Sequence, residues 1–169
     1  MESRVNRSII TCVVLVLILT SGPFELAQAG KIDVSRVPAV VIKAFRAKYP
    51  HAKIESTHEE KDGTDVTYRI EFEANNLSTT VEYATDGSLE ELEQEIALTK
   101  LPKAVSDAAK KKYPKGKLDY AGEVTTYEDG KPQPKTYRVV TILAPKVHMI
   151  LEITAKGEIT HEEEDEDVK

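Results

Sequence analysis

The chain has 169 residues, 31% of them charged, and a formal net charge of -6 at pH 7. That acidic balance argues against nucleic acid and anionic membrane as partners, since both repel a negative surface. The single cysteine, Cys12, lies in the apolar N-terminal stretch, so the rest of the chain can form no disulfide and perform no thiol chemistry.

Arg4 and Arg7 precede an apolar run over residues 9–19, Ser21-Gly22-Pro23 interrupts it, and Ala27-Gln28-Ala29 offers a small-x-small cleavage site. The run is shorter than the roughly 20 residues a membrane span needs. Residues 1–29 therefore read as a signal peptide cleaved near Ala29. Export to a periplasm or beyond follows, with no stable membrane association after cleavage. Cys12 sits inside the apolar run rather than after it, which sets lipidation aside.

The remaining chain reads as one unit written twice. Val37-Pro38-Ala39-Val40 opens the first copy and Leu101-Pro102-Lys103-Ala104 the second; Lys48-Tyr49-Pro50 and Lys112-Tyr113-Pro114 close the opening segments. In the first, Ser35 is a cap candidate, and Val37, Val41, Ala44, Phe45 and Tyr49 recur at helical spacing, giving an amphipathic helix that Pro50 ends. Residues 53–60 read as a strand, and Lys61-Asp62-Gly63-Thr64 as a hairpin turn. Val66, Tyr68, Ile70 and Phe72 then alternate with Thr67, Arg69, Glu71 and Glu73. A strand with one apolar and one wet face produces that pattern. Asn75-Asn76 turns the chain into a strand over residues 77–83, and Asp86-Gly87 into an acidic, edge-like fourth strand beginning at Leu89.

The second copy repeats this order. Leu101, Val105, Ala108, Ala109 and Tyr113 form the helical stripe, and Leu118, Tyr120 and Val124 suggest the first strand. A longer loop follows over residues 128–134. Residues 137–143 and 147–153 give the next two strands, and Lys156-Gly157 turns into a short last strand around Ile159. Residues 162–169 read as a solvated, disordered acidic tail. The fold class is thus α+β: two tandem units over residues 30–100 and 101–161, each one helix packed on a four-stranded antiparallel sheet, sharing one interior.

No constellation for nucleophilic catalysis is visible, and His51, His58, His148 and His161 lack metal-ligand spacing. No cofactor is expected. The candidate site is the sheet face opposite the helices. In the first copy it carries Thr67, Arg69 and Glu71; in the second Arg138, Val140, Ile142, His148 and Ile150, an apolar cluster of the kind that marks interfaces. Tyr127, on the long loop, is a further candidate contact.

The residues from Pro38 through Phe45, Tyr49, Pro50, Tyr68, Phe72, Val81, Tyr83, Asp86, Gly87 and Leu89 resemble the PepSY-like, beta-lactamase-inhibitor-like family. The second copy follows the pattern more loosely, with Lys110 in place of the aromatic, Thr141 or Ile142 in place of Phe72, and Lys156 in place of the turn aspartate. The resemblance implies an exported, non-catalytic protein with a concave sheet surface that grips a protein or peptide. An envelope hydrolase is one such partner. The alternative is an envelope sensor for a small molecule or divalent cation, using acidic strand ends.

Overall fold

The computed structural model describes residues 28–165. The leader through residue 27 lies outside them. The cleavage point expected after Ala29 falls within the first strand, β1 (Gln28–Lys31). A 3-10 turn follows over Val34–Arg36, where Asp33 Oδ1 accepts from Ser35 N at 2.9 Å. The cap residue is therefore Asp33, with Ser35 its donor, and the helix α1 (Ala39–Lys48) begins beyond it after Pro38. Proline suits a helix start because its missing N–H would have had no intrahelical partner.

Four strands follow: β2 (Ile54–Asp62), β3 (Asp65–Ala74), β4 (Leu77–Ala84) and β5 (Leu89–Glu95). Their turns are the ones the residues demand. Asn75 and Asn76 both adopt positive φ, 54° and 61°, which a two-residue hairpin requires. A second 3-10 turn (Leu98–Lys100) and α2 (Lys103–Lys112) lead into β6 (Lys117–Glu128). The expected long loop is a hairpin extension. Asp129 and Gly130 turn β6 back into β7 (Lys131–Pro132), which pairs with it. β8 (Thr136–Ala144), β9 (Val147–Thr154) and β10 (Ile159–Glu164) complete the chain.

The strands join in one antiparallel sheet of order β1-β2-β3-β4-β5-β6-β8-β9-β10, with β7 attached to β6. This corrects two expectations. The sheet is not divided into four-stranded pieces, and β5 is not an edge. Glu91 pairs with Glu82 on one side and Thr126 on the other, so the acidic strand lies at the centre of the sheet. Residues 162–164, expected to belong to a disordered acidic tail, lie in β10 instead; residues 166–169 lie outside the described residues. Glu162, Glu163 and Glu164 pair with Leu151, Ile150 and Met149, because β9 offers them backbone partners and Lys112 and Tyr113 hold Glu162.

Two separate cores lie on one side of the sheet, in place of a shared interior. Val41 and Phe45 of α1 pack with Tyr68, Ile70, Phe72, Val81 and Tyr83. Val105 and Ala109 of α2 pack with Ala121, Tyr137, Val139, Leu151 and Ile153. The position matching Phe45 is Ala109 rather than Lys110, and Thr141 stands opposite Met149 as Phe72 stands opposite Thr79. The halves are joined by strand pairing between β5 and β6.

Candidate functional site

Strand alternation sends every second side chain to the face without helices. Two arginines hold matching places there. Arg69 follows buried Tyr68 and stands opposite Glu82; Arg138 follows buried Tyr137 and stands opposite Glu152. Arg69 Nε donates to Glu82 Oε1 at 3.0 Å, and its Nη2 lies 2.9 Å from Glu60 Oε1.

Arg138 is the larger hub. Its Nη2 donates to Glu152 Oε1 at 3.0 Å and Glu91 Oε1 at 3.2 Å, and its Nη1 donates to Glu93. Tyr120 Oη donates to Glu93 Oε1 at 2.9 Å. Glu93 is 6% exposed. Charge-assisted bonds from two donors make such burial tolerable for a carboxylate. Room for it comes from Gly122, opposite Arg138: a Cβ there would stand 2.1 Å from Glu93 Oε1. The residue opposite Arg69 is His58. Arg138 thus ties carboxylates of β5 to β8 and β9 across the junction of the halves.

The electrostatics follow from burial and crowding. Burial pushes Glu91 up to about 7 against the pull of Arg138, with Glu82, Glu93 and Glu152 adding like charge. Burial alone would lower Arg138, but Glu93, Glu91 and Glu152 hold it above the ordinary arginine value. Burial also raises Glu60, which Arg69 only partly offsets. Burial and the neighbouring Glu93 hold Tyr120 protonated.

A cavity of about 430 Å³ opens on this face, with Arg69 and Glu71 on one side, Arg138 and Tyr120 within it, and Ile150 and Glu163 on the other. β3 and β10 are six strand steps apart in the sheet order. A flat sheet would separate them by about 29 Å. One cavity of this volume touching both requires a curled sheet with the helix-free face inward.

Thr67, Arg69 and Glu71 share this face with Arg138, Val140, Ile142, His148 and Ile150, as register places them. Val140, Ile142 and Ile150 are half-buried rather than an exposed apolar cluster, because Tyr120 stands beside Val140 and Glu163 beside Ile150. Tyr127 is not with them. It lies in β6, on the helix side, with Lys48 Nζ 5.5 Å from its ring centroid. Its parity matches Leu92 and Thr125, not Glu91. Sequence reasoning missed Glu91, Glu93, Tyr120 and Gly122. The recurring Tyr-Arg pairs at 68–69 and 137–138 were the available signal. Among the described residues, no group of three or more His, Cys, Asp or Glu side chains is placed to hold a metal ion. No described helix is long and apolar enough to cross a membrane.

The family described as "Putative beta-lactamase-inhibitor-like, PepSY-like" matches residues 24–78 and 66–140. The chain belongs to the PepSY-like family. No curated protein matches it. Among solved structures it is similar to a DUF2874 family protein from Bacteroides uniformis (19% identity, TM-score 0.59, covering 75% of this chain and 88% of that one). It is also similar to a protein from Bacteroides eggerthii described as a "putative periplasmic" protein (20%, TM-score 0.60, 76% and 88%). A third is a BLIP-like protein from Bacteroides fragilis (18%, TM-score 0.53, 75% and 86%). At these identities the likeness is one of fold, and it covers most of each chain.

Proposed function

We propose that this PepSY-like protein is an exported, non-catalytic binding module that takes a protein or peptide on the inward-curved sheet face. The observation that carries the proposal is the single curled face, to which both halves contribute. Its guanidinium groups are fixed in place by the protein's own carboxylates, so the surface is preorganised before a partner arrives. The leader and the periplasmic description of a structural neighbour support an envelope location. The family description supports restraint of an envelope hydrolase as the role.

The test places obstacles on each side of the sheet. Val140→Asp and Thr80→Trp alter the curled face; Val40→Asp alters the exposed surface of α1. Partners recovered from an envelope fraction are expected with wild type and Val40→Asp and lost with the two face variants. Equal recovery by all four proteins would overturn the reading.

A further inference from the structure

Charge is not spread evenly over this fold. Residues 34–53, which hold the first 3-10 turn and α1, carry Arg36, Lys43, Arg46, Lys48 and Lys53 and no acidic residue. Residues 98–117, the same stretch of the second copy, carry seven lysines and one acid, Asp107. Together they hold twelve of the chain's 23 Lys and Arg residues and one of its 29 Asp and Glu residues. These stretches thus bear a charge of +11 and the remainder of the chain -17. The net charge of -6, which by itself argues against an anionic surface, averages over this separation.

Both helices pack on the side of the sheet away from the curled face. Their cations recur at equivalent places in the two copies: Arg36 and Lys100, Arg46 and Lys110, Lys53 and Lys117. All six are exposed. A helix C-terminus favours lysine or arginine for its own stability, which accounts for residues 46, 48 and 110–112. It does not account for Lys43, Lys53, Lys115 or Lys117. Lys103 meets Asp107, Lys112 meets Glu162, and Lys117 lies 3.8 Å from Asp119. Among the described residues, no carboxylate pairs with Arg36, Lys43, Lys110, Lys111 or Lys115. Apolar side chains stand among these cations. Of the five large hydrophobic residues exposed among the described residues, Val34, Val40 and Leu98 belong to these two stretches. A groove beside α2 is lined by Leu98, Leu101 and Leu118 together with Lys103 and Lys110.

We infer that the helix side is a peripheral docking surface for an anionic phospholipid bilayer, with the basic side chains on the headgroups and Val34, Val40 and Leu98 entering the interface. The inference goes beyond the curled-face reading and does not depend on it. Each basic side chain near an anionic bilayer adds attraction, and apolar side chains among them add burial. A plane is the occupant that the geometry fits. α1 packs over β3 and β4 and α2 over β8 and β9, four strand steps apart, about 19 Å along the sheet. An acidic peptide lying along one helix would leave the equivalent cations of the other unused, whereas a bilayer meets both ridges. In that orientation the curled face points away from the lipid.

The experiment uses the chain from Gln28, which keeps every described residue and omits the apolar leader. Its probes are vesicles of phosphatidylcholine alone and of phosphatidylcholine with an equal share of phosphatidylglycerol. Co-sedimentation is expected with the second and not the first, and should weaken about tenfold when salt rises from about 0.05 to about 0.5 M. Arg36→Gln with Lys43→Gln, and Lys110→Gln with Lys111→Gln, should each weaken binding about tenfold. Lys131→Gln with Lys146→Gln, the same charge change at strand hairpins, should leave it unaltered. The chain has no tryptophan, so a single one reports its own surroundings. Emission of Leu98→Trp should shift to the blue on the anionic vesicles, and that of Leu77→Trp, at the start of β4, should not. No binding to the anionic vesicles at low salt, equal binding to both vesicles, or no loss with either helix-side pair would overturn the inference. So would a blue shift at Leu77→Trp alone, or binding to soluble dextran sulfate with none to vesicles, which would name a soluble polyanion instead. Val140→Asp separates the two readings: it should remove partners of the curled face and leave vesicle binding intact.

Discussion

The two halves share a plan and hold themselves together differently. In the first, Phe45, Phe72 and Tyr49 form an aromatic triad, with Phe45 and Phe72 meeting edge to face at 5.1 Å and Tyr49 and Phe72 at 4.6 Å. In the second, Ala109 and Thr141 occupy the matching places, and no aromatic ring fills them. On the other face the order reverses. Arg69 meets two carboxylates, Arg138 three. The half with less apolar volume in its core carries the arginine with the larger ionic network on the open face, two of whose three carboxylates come from β5 of the other half. One duplicated plan can therefore divide cohesion between apolar and polar sides in two proportions.

The largest effect expected is on the aromatic core. Phe72→Ala should lower the free energy of unfolding by about 4 kcal/mol, since it removes a fully buried ring and leaves a cavity. Thr141→Ala, at the matching position, should cost less than about 1 kcal/mol, because the lost methyl group is small and the lost hydroxyl has no partner. Urea unfolding monitored by circular dichroism measures both. Equal losses would mean that the halves are packed alike after all.

The ionic networks come next. Arg138→Gln leaves Glu91, Glu93 and Glu152 facing one another without a cation, and removal of one partner from a buried pair costs about 3–5 kcal/mol. Arg69→Gln strands only Glu60 and Glu82, at a more accessible site, and should cost about 1–3 kcal/mol. A reversed ranking would remove the claim that the second half depends more on its open face.

Proton linkage sharpens the same contrast. Glu91 is raised from 4.5 to about 7 by burial. Between those values the folded protein holds a proton that the unfolded chain has lost. Stability from this group is therefore full below pH 4.5 and falls as pH rises towards 7. Glu91→Gln should flatten that slope and raise stability at pH 8 by about 2 kcal/mol relative to wild type. Thermal melts from pH 5 to 8 on both proteins test this. An unchanged slope in the variant would assign the linkage to another group.

Some of this was legible in the residues and some was not. Hairpin turns were, because Asn75-Asn76 and Asp86-Gly87 supply positive φ where few other residues do. The inward and outward faces of β3 were, because Tyr68, Ile70 and Phe72 alternate with charges. The place of β5 was not. A strand carrying Glu91, Glu93 and Glu95 looks like an edge, and only Arg138, Tyr120 and the gap at Gly122, all distant in sequence, make its central position stable. Residues 162–164 looked like a hydrated tail for the same reason: composition does not reveal the backbone partners that β9 supplies. Tyr127 adjoins the turn-forming residues 128–134 and so reads as part of a loop, yet its parity with Leu92 places it on the helix side, beside Lys48.

The smallest effect is the one that runs towards greater stability. Thr141 is 0% exposed, and its Oγ1 is buried without a hydrogen-bond partner. An unsatisfied hydroxyl in an apolar core costs about 1–3 kcal/mol, and a methyl group of the same shape removes that cost. Thr141→Val should therefore stabilise the protein by about 1 kcal/mol. Space is the opposing consideration: Thr141 Cγ2 would stand 2.4 Å from a Cβ built on Gly116, so a larger residue than valine would press on that loop. The matching change in the first half, Phe72→Val, should destabilise strongly, so one substitution type has opposite signs at two equivalent positions. Measured unfolding energies of the same sign would show that the hydroxyl of Thr141 is satisfied in solution and that the second core is less different from the first than its residues imply.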